Sequence, residues 1–211
     1  MHPNAAFRTG RSTGDERALC EALIDEIGFG MIFATTPDGP RVAHTPLHST
    51  GDGAVHFHLA RSNALASHLN GMNALAVING PDAYVSPRWY SSRERVPTWN
   101  YLSLELEGRV RRMDRDGLKG HIEDLVKRHE SRVEGGQPWS LDEIPETKYN
   151  SLAKGIVGFE LEVLAWRPTF KFSQNKDATD RAQVADSLET SGSPALAHLM
   201  RTLAVGNSEA Q

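Results

Sequence analysis

Residues 80–101 read GPDAYVSPRWYSSRERVPTWNY and hold two of the chain's four tryptophans, three of its four tyrosines and three of its eleven prolines. Proline fixes φ and removes a backbone donor. A stretch with prolines at 81, 87 and 97 is therefore neither a helix interior nor a long central strand, and an ordered loop is expected. Aromatic rings on a rigid loop offer flat apolar faces with polar edges, which suits a planar heteroaromatic ligand. The same features also suit a hairpin connection whose rings plug a core or a dimer seam.

The remaining periodicity is mostly that of strands. Phe29 to Thr35 and Arg41 to Leu47 flank Thr36-Pro-Asp-Gly-Pro40, a turn with preset φ and a residue tolerant of positive φ, so a hairpin is expected. Ala54 to Leu59 alternates Val55, Phe57 and Leu59 against His56 and His58, giving a strand with one apolar face and one face of imidazoles. Ala74 to Ile78, Asn100 to Val110 (with Leu102, Leu104 and Leu106 on one side) and Ile156 to Trp166 read as further strands.

Helices are inserted between them. Ser12 or Thr13 can cap one from Asp15 to Ile27, and there Cys20 reads as a buried apolar filler. Asn63 to Asn70 is expected as a short helix, and Asp114 to Arg132 as a longer one ended by Gly135-Gly136. Past Pro168 the sequence turns polar, with two short helices near Asp180 to Leu188 and Pro194 to Leu203. Short strands joined by turns, with helices inserted rather than alternating, argue for a mainly β, α+β fold: an antiparallel β-barrel with α decorations. The expected division is a barrel domain over 1–168 and a C-terminal arm over 169–211.

At 211 residues and 39% apolar content the chain can bury one good core. A net charge of −4 with interspersed signs marks no autonomous nucleic-acid binder or membrane-surface protein, and one cysteine precludes an intrachain disulfide framework. With no signal peptide and no long apolar run, a soluble cytoplasmic protein is expected. Neither a G-x-G-x-x-G nor a Walker loop is present.

HLARSNA at 58–64, GPDAYVSPRWY at 80–90, VPTWNY at 96–101, KGIVGFELE at 154–162 and KFSQNK at 171–176 together resemble the PaiB-type FMN-binding negative transcriptional regulators, in the family's order and over most of the chain. The resemblance implies an FMN-binding split barrel and a homodimer with flavin at the subunit seam. It also implies a role in repressing protease-synthesis and sporulation genes, with DNA met directly or through a partner. Ala64 stands where the pattern leads one to expect proline.

The matched residues have suitable chemistry. Arg61, Ser62 and Asn63, placed at a strand end before a helix N-terminus, offer donors for a phosphate, with His58 and His68 as further candidates. Trp89 and Trp99 could wall the ring, while Ser86, Thr98 and Asn100 read its polar edge. Lys171, Ser173, Gln174 and Asn175 form a donor-rich exit from the last strand, able to close a site on a second subunit.

His44, His48, His56, His58 and His68 raise metal or haem as alternatives, but without a metal-site signature or an evident carboxylate behind them. The resemblance implies FMN, with no metal expected and haem only as second choice. No catalytic triad or carboxylate pair is recognisable, so enzymatic activity rests on the flavin, with a flavin-dependent oxidoreductase as the alternative to a regulator. The one long basic run, Arg109 to Arg132, is interleaved with carboxylates and reads as a solvated helix face.

Overall fold

The computed structural model describes Phe7 and residues 13–203. Six antiparallel strands close in the order β1-β2-β3-β6-β5-β4. They are β1 (Phe29–Thr36), β2 (Gly39–Ser49), β3 (Ala54–Ala60), β4 (Asn73–Val85), β5 (Thr98–Arg112) and β6 (Ile156–Lys171). Helices α1 (Thr13–Ile27), α2 (Arg115–Glu130), α3 (Glu146–Ala153), α4 (Ala178–Thr190) and α5 (Pro194–Leu203) decorate them, which makes the expected α+β split barrel the observed fold. Ser12 lies outside the described residues. Among those described, no helix is long and apolar enough to cross a membrane.

The chain divides into two compact units. One takes residues within 1–20, 79–105 and 167–211; the other takes 21–78 and 106–166. In the latter, the β1–β2 hairpin turns over Pro37-Asp38, with Thr36 opposite Gly39 at φ +101°. β3 pairs with β2 and β6 in a register that sets Phe57 opposite both Leu47 and Phe159. Phe57 and Phe159 stack with centroids 5.3 Å apart and are fully buried, each stabilising the fold by about 1.5–3 kcal/mol. Gly108 permits β5 to lie against β6, because a Cβ there would sit 2.1 Å from the Glu162 carbonyl oxygen. In the former unit, Leu102, Leu104, Phe170 and Phe172 are buried, as are Val184 and Leu188 of α4 and Leu196 and Met200 of α5, and the two helices pack on each other.

Three expectations are corrected. Asn63–Asn70 is a run of turns rather than a helix. Its backbone bonds are chiefly of the i to i+3 kind, and the Asn63 carboxamide takes the Leu65 N–H, 2.9 Å away, which would otherwise serve a first helical turn. Residues 80–85, expected in a loop, extend β4. Pro81 is tolerated because the β1–β4 register ends at Met31–Val77, so no ladder bond to β1 asks for its missing donor. β6 likewise runs five residues beyond Trp166, through Pro168 to Lys171.

Candidate functional site

The corner after β3 is built from backbone outward. Arg61 N donates to the Gly155 carbonyl (2.8 Å), while its Nε and Nη2 donate to the carbonyls of Lys154 (2.7 Å) and Ile156 (3.1 Å). These two bonds use two of the five guanidinium donors, leaving the others unengaged on an exposed side chain. The adjoining cavity of about 690 Å³ brings Arg61 together with Arg112, Arg115 and Lys154, and with one carboxylate, Asp114. Asp114 is already engaged as the N-cap of α2, accepting from Gly117 N at 2.8 Å. Arg115 leans on Asn150 (2.5 Å) and, at 4.0 Å, on Glu146. Among the described residues neither Arg112 nor Lys154 has a carboxylate partner, so the cavity is cationic over an apolar wall that includes Leu118 and Val157. Of the sequence candidates nearby, Ser62 is exposed, Asn63 shapes the turn, and His68 is half-buried in the turns that follow. Arg112, Arg115 and Lys154 carry no local signature for this cavity, which they reach from the end of β5, the start of α2 and the C-cap of α3.

In the other unit, the aromatic segment begins with Ser86, whose hydroxyl caps a short turn by accepting from Arg88 N (3.2 Å), with Trp89 half-buried in that turn. Trp99 is 54% exposed and meets the exposed Tyr84 edge-on at 6.2 Å, so it is no core residue. The segment is anchored by a residue the sequence did not advertise. Asp180 is fully buried and accepts from Ser91 N (2.9 Å), Ser91 Oγ (2.7 Å) and Arg95 Nη2 (3.4 Å). These bonds, those from Ser91 foremost, hold its carboxyl below the usual range.

Thr98, Asn100, Lys171, Ser173 and Asn175 converge on one cavity of about 180 Å³ with Lys176 and the rings of Phe7 and Tyr90. Lys171 Nζ donates to Thr98 Oγ1 at 2.7 Å, and burial pushes its basicity down. Asn100 and Ser173 bond to each other, at 3.0 and 3.3 Å. The Gln174 carboxamide turns back to its own strand, accepting from Phe172 N (2.7 Å) and donating to the Phe170 carbonyl.

His48 of β2 and His56 and His58 of β3 lie near α2, which packs on both strands, whereas His44 of β2 is exposed. His121, in the buried stripe of α2, approaches His58 with Nε2 3.1 Å from Nδ1. His56 stands 5.9 Å from His121 and 6.4 Å from His48 between ring centroids. Burial, reinforced by the neighbouring imidazoles, lowers His121 to about 3, and burial likewise lowers His58 and His48. His48, His58 and His121 are thus neutral at pH 7, and two of their ring nitrogens, Nδ1 of His48 and of His121, are buried without a hydrogen-bond partner. Carboxylates do stand beside the histidines, contrary to expectation. Glu160 is 3.2 Å from His56, while Asp25 and Asp124 are 3.8 and 3.7 Å from His48, all brought in from elements distant in sequence. Among the described residues no three His, Cys, Asp or Glu side chains are arranged to hold a metal ion.

Three comparisons bear on this geometry. Residues 1–165 match the family model described as "Putative FMN-binding domain". The chain is 29% identical over 176 residues to Protease synthase and sporulation protein PAI 2 of Bacillus subtilis, covering 82% of this chain and 84% of that one. Among solved structures, an FAD and heme binding protein from Mycobacterium smegmatis superposes with a TM-score of 0.59 at 17% identity, covering 78% of this chain and 76% of that chain. A flavocytochrome from Azotobacter vinelandii superposes at 0.53 and 15% identity, covering 85% and 82%. At such identities these two likenesses speak to the fold alone.

Proposed function

The chain belongs to the PaiB-type FMN-binding family, and from that premise we propose that it binds flavin mononucleotide with the phosphate held at the Arg61 corner. The observation that carries the reading is the surplus of positive charge in the larger cavity, where four cationic side chains face one carboxylate that is already capping α2. A phosphate dianion needs cationic donors in a fixed fork. Arg61 fits this need, because two backbone carbonyls orient its guanidinium while donors remain for a ligand. Arg112, Arg115 and Lys154 add charge around the same space. A bound flavin brings hydride and one-electron chemistry with it. The test is the visible spectrum of the purified protein after addition of FMN and gel filtration. Flavin bands that stay with the wild-type protein and leave the Arg61→Ala variant support the reading, whereas a colourless wild-type protein at saturating FMN refutes it.

The second part of the reading is a homodimer, supported by the outward face of β1. Phe29, Met31 and Phe33 alternate there against the buried Ile32, with Phe29 52% and Phe33 37% exposed. Val42 and Leu75 are the cross-strand neighbours of Phe33, and Val77 is that of Met31, so the apolar surface is continuous across three strands. An apolar sheet face of this kind suits a second copy of the chain. Light scattering of Phe33→Glu tests it: a monomer is expected, and an unchanged dimer counts against this face.

The regulatory role is the finest part of the reading, and its support is the relationship to PAI 2, a protein named for protease synthesis and sporulation. Direct operator contact has less to draw on. Arg111, Lys119, Arg128 and Arg132 each pair with a carboxylate at 2.7–3.6 Å, and Arg201 of α5 pairs with Asp186 and Glu189. Regulation therefore runs through a partner protein. A shift of labelled promoter DNA by this protein alone at low salt would overturn that last step.

A further inference from the structure

The small cavity around Lys171 is separate in chemistry from the Arg61 corner. Lysine has three donors, and Lys171 directs one to Thr98 Oγ1, leaving two for the cavity it lines. Rings flank it, with the centroid of Phe7 at 5.8 Å and that of Tyr101 at 5.9 Å. A second ammonium, Lys176, lies over Tyr90 at 5.8 Å. Among the described residues no carboxylate pairs with either lysine. A cation drawn partly out of water without a counter-ion is unfavourable, so two of them facing one cavity define a place for an anion.

The floor of the cavity is rigid and already satisfied. Asn100 is fully buried, and its carboxamide is taken up by Ser173 Oγ at 3.0 Å and Met200 Sδ at 3.4 Å. Ser173 sits at φ +59°, the only described non-glycine residue with positive φ. Such a conformation persists in a side-chain-bearing residue only where its surroundings impose it, and residues held in this way concentrate at ligand sites. Lys171 before this left-handed residue and Asn175 and Lys176 after it all line the cavity.

We propose that this cavity binds a small carboxylic acid with an apolar body, its carboxylate between Lys171 and Lys176 and its body against Phe7, Tyr90 and Val96. The size selects against larger ligands, since about 180 Å³ falls below the roughly 300–1,000 Å³ of pockets for drug-sized molecules. The apolar wall selects against a bare oxyanion, which would leave the rings uncovered.

Calorimetric titration of the full-length protein with benzoate, benzamide and inorganic phosphate tests the assignment. Benzoate is expected to bind, benzamide at least about tenfold more weakly for want of the charge, and Lys171→Met to weaken benzoate by at least about tenfold. Absence of benzoate binding to the wild-type protein overturns the proposal. So does equal binding of benzamide, or benzoate affinity unchanged in a folded Lys171→Met variant, or binding of phosphate in place of benzoate. If Lys171→Met does not fold, the contrast between benzoate and benzamide on the wild-type protein decides. The flavin reading is scored apart: Arg61→Ala should lose FMN and keep benzoate. A protein that binds benzoate but no FMN refutes only the flavin, and one that binds FMN but no benzoate refutes only this inference.

Discussion

Burial acts on the basic nitrogens of His121 beneath α2 and of Lys171 beside Thr98 in the same direction, lowering both, yet the two side chains end in opposite charge states. Histidine starts from 6.5, and burial among other imidazoles takes His121 to about 3, so it sheds its proton and packs uncharged beside His58. Lysine starts from 10.5, and Lys171 keeps its proton at neutral pH despite the loss of water. The histidine resolves its desolvation internally and becomes packing; the lysine cannot, and remains a charge in want of a partner. A cluster of titratable groups is therefore a weaker pointer to a ligand than one group that cannot neutralise itself.

The largest expected effect attacks the histidine side of this contrast. His121 binds its proton more weakly in the folded chain than in the unfolded one, so the unfolded state gains protons first as pH falls. Stability should be complete above about 6.5 and should then decline by up to about 1.4 kcal/mol per pH unit toward pH 3, in all about 4–5 kcal/mol from this side chain. Urea denaturation between about pH 7 and pH 4 measures it, and His121→Leu should flatten the profile. An equally steep profile in the variant would place the acid sensitivity elsewhere.

Next in size is the Arg61 corner, where the cation is exposed and held by carbonyls. Arg61→Ala should raise the FMN dissociation constant by roughly 30- to 100-fold, corresponding to about 2–3 kcal/mol for charge-assisted hydrogen bonds, with little change in melting temperature. Fluorescence titration of FMN reads the first and thermal denaturation the second. Smaller still, Asp114→Ala removes the cap of α2 and should cost about 1 kcal/mol. By loosening the helix that covers the imidazoles it should also raise the pKa of His121, which NMR titration of the ring protons would show. The smallest effect is on stability in Lys171→Met. Removing a cation that has no anion should leave the ligand-free fold unchanged or more stable by about 0.5 kcal/mol. A clear loss of stability would mean that the ammonium is part of the packing.

Much of the fold could be read from the chain because its strands obey the rule of two. Val55, Phe57 and Leu59 against His56 and His58, and the Leu102-Leu104-Leu106 row, each specify one buried face, and all six of these apolar residues are buried. The hairpin at Pro37-Asp38 followed from turn chemistry. What failed was local sequence overruled by context. Asn63–Asn70 has helix-compatible composition, yet the Asn63 side chain competes for the first N–H, and Pro81 enters a strand where the β1 ladder has ended. The sites were legible in part. Thr98, Asn100, Lys171, Ser173 and Asn175 do converge, because β5 and the end of β6 both contribute to one cavity. The three cations around Arg61, the anchoring Asp180 and the carboxylates beside the histidines escaped, since each comes from far along the chain and none carries a local signature.

The central claim is that the Arg61 corner recognises a flavin through its phosphate. Side-by-side titration of the protein with FMN and with riboflavin, which lacks that group, tests it most directly. FMN is expected to bind at least about 30-fold more tightly, with the advantage lost in Arg61→Ala. Equal affinity for the two flavins in the wild-type protein would contradict the account.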